Sequence, residues 1–142
     1  MSSIFFMMLA GIFNAGMDKM AFTFNKSIFS KFNPKYWDPS ISWKNQWKQP
    51  LQPSKNHWYY FGLVKPPYEE AFPYSTYFLV FLTDGWHLFK TLMLFFIMLA
   101  IVNYKVMFGF WIDVVILYTA FTATFTAFYS YMFVRSNWQL PK

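Results

Sequence analysis

Residues 110–134 read "FWIDVVILYTAFTATFTAFYSYMFV", apolar along their length apart from hydroxyls and one charge, Asp113, near the start. Few folds can house such a run. About 20 apolar residues in a helix cross a hydrocarbon core of roughly 30 Å. In lipid the backbone must satisfy its own hydrogen bonds, which a helix does within one segment. Arg135 ends the run. The stretch 108–135 therefore reads as a transmembrane helix.

A second run covers 88–102, where Lys90 and Thr91 are the interruptions. It is short for a span. Carrying it back through Phe78–Leu82 supplies the length and places Asp84 and His87 inside the helix, with Pro73 as the starting breaker. The expected helix is 76–104. Asn103-Tyr104-Lys105 then supplies a turn, so the second and third spans should form a tight hairpin. The first run, "MSSIFFMMLAGIFNAGMDKMAF", lacks the positive n-region of a signal peptide. It reads as a membrane helix over Ile4–Phe22, within a first segment 1–24. An interfacial amphipathic helix is the alternative.

Composition agrees with a bilayer. The chain is 56% hydrophobic and 26% aromatic, with 13% charged residues, where a soluble domain carries about 25% charge. So little polar surface could not cover twenty Phe, ten Tyr and seven Trp. The expected fold is all-α and integral to the membrane, with three transmembrane helices and a basic, aromatic-rich interfacial lobe between helices 1 and 2.

That lobe, 25–75, carries Lys26, Lys31, Lys35, Lys44, Lys48, Lys55 and Lys65, with Trp37, Trp43, Trp47 and Trp58 among them. "NKSIFSKF" places Ile28, Phe29 and Phe32 on one helical face and suits a short interfacial helix. The rest is too broken by proline for long helices and too aromatic for disorder. Its Trp and Tyr belong at a membrane interface. The net charge of +6, interleaved with these rings, fits anionic headgroups of a lipid bilayer better than nucleic acid. The lysines also predict orientation: the N-terminus outside, the lobe and the 136–142 tail in the cytoplasm.

Each span carries a polar face. In the third, Thr119, Thr122, Ala123, Thr126, Ala127 and Ser130 share one side, while Phe121, Phe125, Phe128 and Met132 lie elsewhere. Small residues let helices approach closely in lipid, and hydroxyls bond across the contact. The face reads as a packing seam, with a polar ligand lining as the alternative. In the first span Gly11, Asn14, Ala15 and Asp18 share a side. Gly11 and Ala15 suit helix packing, and Asp18 with Lys19 either seeks a partner or marks the membrane exit. In the second, Asp84, His87, Lys90 and Thr91 cluster. The expected topology brings Asp18, Asp84, His87, Thr126 and Ser130 to one depth, with Asn14 and Thr91 deeper.

An Asp–His pair can act as a general base, the carboxylate fixing the imidazole tautomer. Asp84 and His87 are the candidates, though no catalytic residue is assigned. Asn14, Asp18, Lys90, Thr126 and Ser130 are candidate lipid or ligand contacts, and Lys44 adds positive charge. There is no GxSxG elbow, glycine-rich phosphate loop, HExxH or paired-aspartate motif. An ion pair that sets helix register is the plainer reading. The absence of Cys and the presence of only His57 and His87 argue against a metal centre. A lone histidine at this depth likewise argues against haem, so no cofactor is expected. Asp113 should pair with Lys105 near the outer turn, and Glu69 and Glu70 with lobe lysines.

The stretches "GIFNAGMDKMAF", "NKSIFSKFNPKYWDPSISWKNQWK" and "FLVFLTDGWHLFKTLMLFFIMLAIV" resemble a small membrane protein family of Bacteroidetes-type bacteria and their phages. The likeness covers roughly residues 10–103. It implies a three-span protein of a bacterial inner membrane and no particular activity. "QPLQPSKNHWYYFGLVKPPYEEAF" looks like a variable insert. The expected function is association, as an oligomer or an accessory subunit of a membrane complex. The alternative is a lipid-headgroup binder or membrane enzyme built on Asp84 and His87.

Overall fold

The structure, a computed structural model, describes residues 2–53 and 68–135. Expectations resting on Lys55, His57, Trp58, Lys65 and the 136–142 tail lie outside them. Among the described residues the chain is mostly helical and has no strand, only three isolated bridges. Helix α1 spans Ser2–Thr23, α2 Pro34–Trp37, α3 Pro39–Ser42, α4 Gly85–Val102 and α5 Phe110–Ala127, which runs on as a π turn over Phe128–Met132. Three of the helical segments, Ser2–Lys26, Gly85–Val102 and Phe110–Met132, are long and apolar enough to cross a membrane.

The three do not pack in chain order. Both α4 and α5 lie along α1, and they scarcely touch each other. The tight hairpin expected of the second and third spans is therefore not formed. A third (33%) of the α1 window is buried, against 11% for α4 and 6% for α5, so α1 is the central helix. The reason lies in its small residues. Ala10, Gly11, Ala15 and Gly16 are all buried, and only such positions let another backbone come close.

Gly11 faces α5. A Cβ there would lie 2.3 Å from the Phe121 carbonyl oxygen and 2.4 Å from Thr124 Oγ1. The Thr124 hydroxyl is 3.0 Å from the Met8 carbonyl on α1 and 2.9 and 3.0 Å from the Ala120 and Phe121 carbonyls of its own helix, its one proton shared among them. Gly16 faces α4, where its Cβ would lie 2.2 Å from Phe89 Cε1. Phe13 stacks on Phe96, centroids 5.5 Å apart, and meets the edge of Phe89 at 5.3 Å. Phe6 lies 6.3 Å from Phe96. Phe6 with Phe13, and Phe89 with Phe96, are seven residues apart. Each pair thus presents two rings on one helix face.

The lobe closes over one end of this trio. "NKSIFSKF" forms two short 3-10 turns, Phe24–Lys26 and Ile28–Lys31, not the expected interfacial helix. Ser27 between them is extended (φ −96°, ψ 162°) because it pairs with Val134 beyond the π turn. Phe29 is buried, stacked on Trp37 at 5.5 Å and against Phe89 and Phe133 at 5.5 and 5.2 Å. Ile28 is half-buried and Phe32 is exposed. Helices α2 and α3 each begin with proline after a capping side chain, Asn33 for Lys35 N and Asp38 for Ser40 N. Glu69 pairs with Lys48 at 3.3 Å, as expected of a lobe lysine. Glu70 meets no lysine among the described residues: it accepts from the Tyr74 and Thr76 amides and from the Thr76 hydroxyl.

Candidate functional site

Helix α4 begins at Gly85, not at 76, and Asp84 is its N-cap instead of a residue within it. The backbone explains the stop. Asp84 is extended at φ −159°, ψ 161°, and its Oδ1 accepts from the His87 amide at 2.9 Å. An aspartate that can satisfy an orphan helix amide ends the helix there. Upstream, Val80–Leu82 is a 3-10 turn, and the Thr83 hydroxyl donates to the Val80 carbonyl at 2.7 Å. Gly85 is required by the lobe: a Cβ there would lie 2.5 Å from Trp37 Cε3.

The second carboxylate oxygen holds the imidazole. Asp84 Oδ2 is 2.7 Å from His87 Nδ1 and 3.2 Å from Thr83 Oγ1. A carboxylate accepts, so Nδ1 is the donor, and Nε2 has no partner among the described residues. Asp84 is 2% exposed, while the His87 side chain is 27% exposed. Two lobe residues complete the surround. Asn45 Nδ2 donates to the carbonyls of Lys35 at 2.6 Å and Thr83 at 2.9 Å, tying the lobe to the start of α4. The Tyr36 hydroxyl lies 3.5 Å from the Phe81 carbonyl. Burial, and then the Asp84 charge, raise the Tyr36 pKa above its usual value. The outer side is cationic and aromatic. The Trp86 ring stands edge-on to His87 at 4.9 Å, and Lys90 Nζ lies 5.0 Å from the Trp86 ring centroid. Lys44 Nζ is 5.7 Å from the Trp43 ring.

The C-terminal ends of α1 and α5 and the start of α4 do lie at one end, joined through the Ser27–Val134 bridge and the ring of Phe29. Their polar residues do not form one cluster. Thr119, Ala123, Thr126, Ala127 and Ser130 are exposed, because α5 meets α1 with its Phe121 and Thr124 side. Lys90 and Thr91 are also exposed; Asn14 and Asp18 are half-buried, and Gly11 and Ala15 buried. Among the described residues no group of three or more His, Asp and Glu side chains converges as metal ligands would.

Sequence reasoning missed Tyr36 and Asn45, which come from a proline-broken stretch with no periodic signal. It also misplaced Asp113, which does not pair with Lys105. Asp113 is fully buried and accepts from the Tyr104 hydroxyl and Met107 amide, both at 2.9 Å, and from the Phe108 amide at 3.1 Å. It organises the link between α4 and α5, where Gly109 adopts φ 138°, ψ 149°, a region open essentially to glycine. The hydrogen bond to Asp113, then burial and the Asp113 charge, raise the Tyr104 pKa above 10.0. The neutral phenol is thus the favoured form in the fold. Its contribution to stability is complete below the ordinary tyrosine value and is lost as pH rises through the raised one. In a phenolate absorbance titration, wild type minus Tyr104→Phe should show one tyrosine ionising later than a free phenol. A difference curve centred on the ordinary value would contradict this.

Comparison of the chain with protein-family models, with curated proteins and with solved structures gives no match.

Proposed function

We propose that the chain is a small integral membrane protein that works by association, as a homo-oligomer or an accessory subunit of a membrane complex. The contact is the face of α5 bearing Thr119, Ala123, Thr126, Ala127 and Ser130. One observation carries this reading: the smallest and most hydroxylated side of α5 is exposed. The exposed side of α4 offers a contrast, with Leu94, Phe95, Met98 and Ile101. Bulky apolar side chains suit acyl chains. Small residues and hydroxyls suit a second helix, where backbones approach and hydroxyls find partners. The chain already uses this device once, at Gly11 against Phe121 and Thr124.

In this reading α1, α4 and α5 span a bacterial inner membrane, with the N-terminus outside and the basic lobe against anionic headgroups on the cytoplasmic side. Asp84 has both carboxylate oxygens engaged by His87 and the turn before it. That supports a role in starting α4 and docking the lobe. The alternative, a lipid-headgroup binder or membrane enzyme built on Asp84 and His87, would use His87 Nε2 with Lys90 and Lys44 supplying positive charge.

Ala123→Leu and Ala127→Leu test the association. Each adds bulk to an exposed face, so the single chain should fold as before, while the assembled species seen by native mass spectrometry in mild detergent should fall to a smaller one. An unchanged assembly mass in both variants would sink the α5 contact.

A further inference from the structure

Lys19 lies in the last turns of α1 and is 7% exposed. Its Nζ sits 4.2 Å from the centroid of the Tyr129 ring in the π turn. Among the described residues no carboxylate lies within ion-pair distance of it. The charged group that it does feel is Lys26, of like sign. Arg135 is adjacent, since its amide donates to the Lys26 carbonyl at 2.9 Å and Ser27 pairs with Val134. Lys26 therefore stands near Lys19 where α1 and α5 leave the apolar zone, with the backbone of Arg135 paired beside it. A buried ammonium is costly without a counter-charge. The tyrosine face offsets part of that cost, while Lys26 adds to it.

We infer that Lys19 holds the phosphate of an anionic phospholipid at this end of the α1–α5 seam. Lys19 and the Tyr129 ring form the inner wall, and Lys26 and Arg135 stand at the rim. The inference rests on reading α1 and α5 as membrane spans. It selects a lipid over free phosphate because Lys19 stands within an apolar helix whose neighbours Ala15 and Met20 are buried. Acyl chains attached to the phosphate would run along the exposed apolar sides of α1 and α5, which carry Phe5, Met8, Val115 and Tyr118.

The test uses the full chain in mild detergent with added phosphatidylglycerol, phosphatidylcholine or inorganic phosphate, and bound lipid read by native mass spectrometry. Wild type should retain phosphatidylglycerol in preference to phosphatidylcholine. Lys19→Met should weaken that retention about tenfold, the worth of one charge-assisted hydrogen bond. Lys19→Arg should keep most of it, and Lys105→Gln, exposed at the opposite end of the spans between α4 and α5, should leave it unchanged. Equal retention by Lys19→Met and wild type overturns the proposal. So does equal binding of the two lipids, or release of phosphatidylglycerol by an equal concentration of inorganic phosphate. If Lys19→Met does not fold, Lys19→Arg decides, since loss of retention in a folded, charge-keeping variant also overturns it. Flotation of wild type with pure phosphatidylcholine vesicles separates the two readings. A chain that does not float refutes the spans themselves, whereas a floating chain without lipid preference refutes only the Lys19 site.

Discussion

Gly11→Ala is expected to lower the thermal unfolding midpoint in mild detergent more than the same change at Gly16. The new methyl would lie 2.3 Å from the Phe121 carbonyl oxygen and 2.4 Å from Thr124 Oγ1. The first of these is backbone and cannot rotate away, so α1 and α5 must separate. Separation also stretches the Thr124 hydroxyl from the Met8 carbonyl, now 3.0 Å away. Overpacking of a close contact costs about 1–3 kcal/mol, and a backbone clash belongs at the upper end. Alanine returns about 1 kcal/mol in helix propensity over glycine. The net loss is therefore about 2 kcal/mol. At Gly16 the methyl meets the ring of Phe89. That ring is a side chain on α4 and can shift, so the loss should be smaller. Circular dichroism melts of the two variants decide the matter. Gly11→Ala melting with wild type, or above Gly16→Ala, would refute the close α1–α5 contact.

Asp84→Ala should be the second large effect, at about 2 kcal/mol. It removes the N-cap of α4, a change that costs about 0.5–2 kcal/mol. It also strips His87 Nδ1 of its 2.7 Å partner. Asp84→Asn should cost less than about 1 kcal/mol, because asparagine caps as well as aspartate. Its amide would face His87 Nδ1 with hydrogens, so the imidazole must move its proton to Nε2. Nitrogen NMR of a histidine-labelled chain reads that tautomer directly. His87→Ala should fall between the two aspartate variants, since the Asp84 bond to the residue 87 amide survives it. If Asp84→Asn and Asp84→Ala are equally damaging, the carboxylate matters for its charge and not for the cap.

The Asp84 effect arises where expectation from the chain and the folded result part company, whereas Gly11 is a helix-packing position in both. The apolar stretch before Asp84, "YFLVFL", resembles helix as much as anything. What ended the helix was a side-chain bond three residues on, together with Trp37 lying against Gly85. The spacing of Asp84 and His87 is plain in the chain and suggests one helix face, whereas in the fold it is a cap. Asp113 shows the same limit. Its charge was plain, but its partners are Tyr104 and two backbone amides of the turn. The small-residue side of α5 was legible as a pattern, and its exposure was not.

The division between what the chain alone determined and what the tertiary structure decided has one physical cause. A long apolar run must become a helix because its backbone bonds are local, so the three long helices could be read from residues alone. Lipid is as apolar as a packed seam, so hydrophobicity cannot say which side of such a helix faces a neighbour. Close approach decides that. Gly11 admits the Phe121 backbone, Gly16 admits the Phe89 ring, and α1 thereby becomes the centre of the trio. Only the assembled structure leaves Thr126 and Ser130 on the outside and Lys19 on the inside.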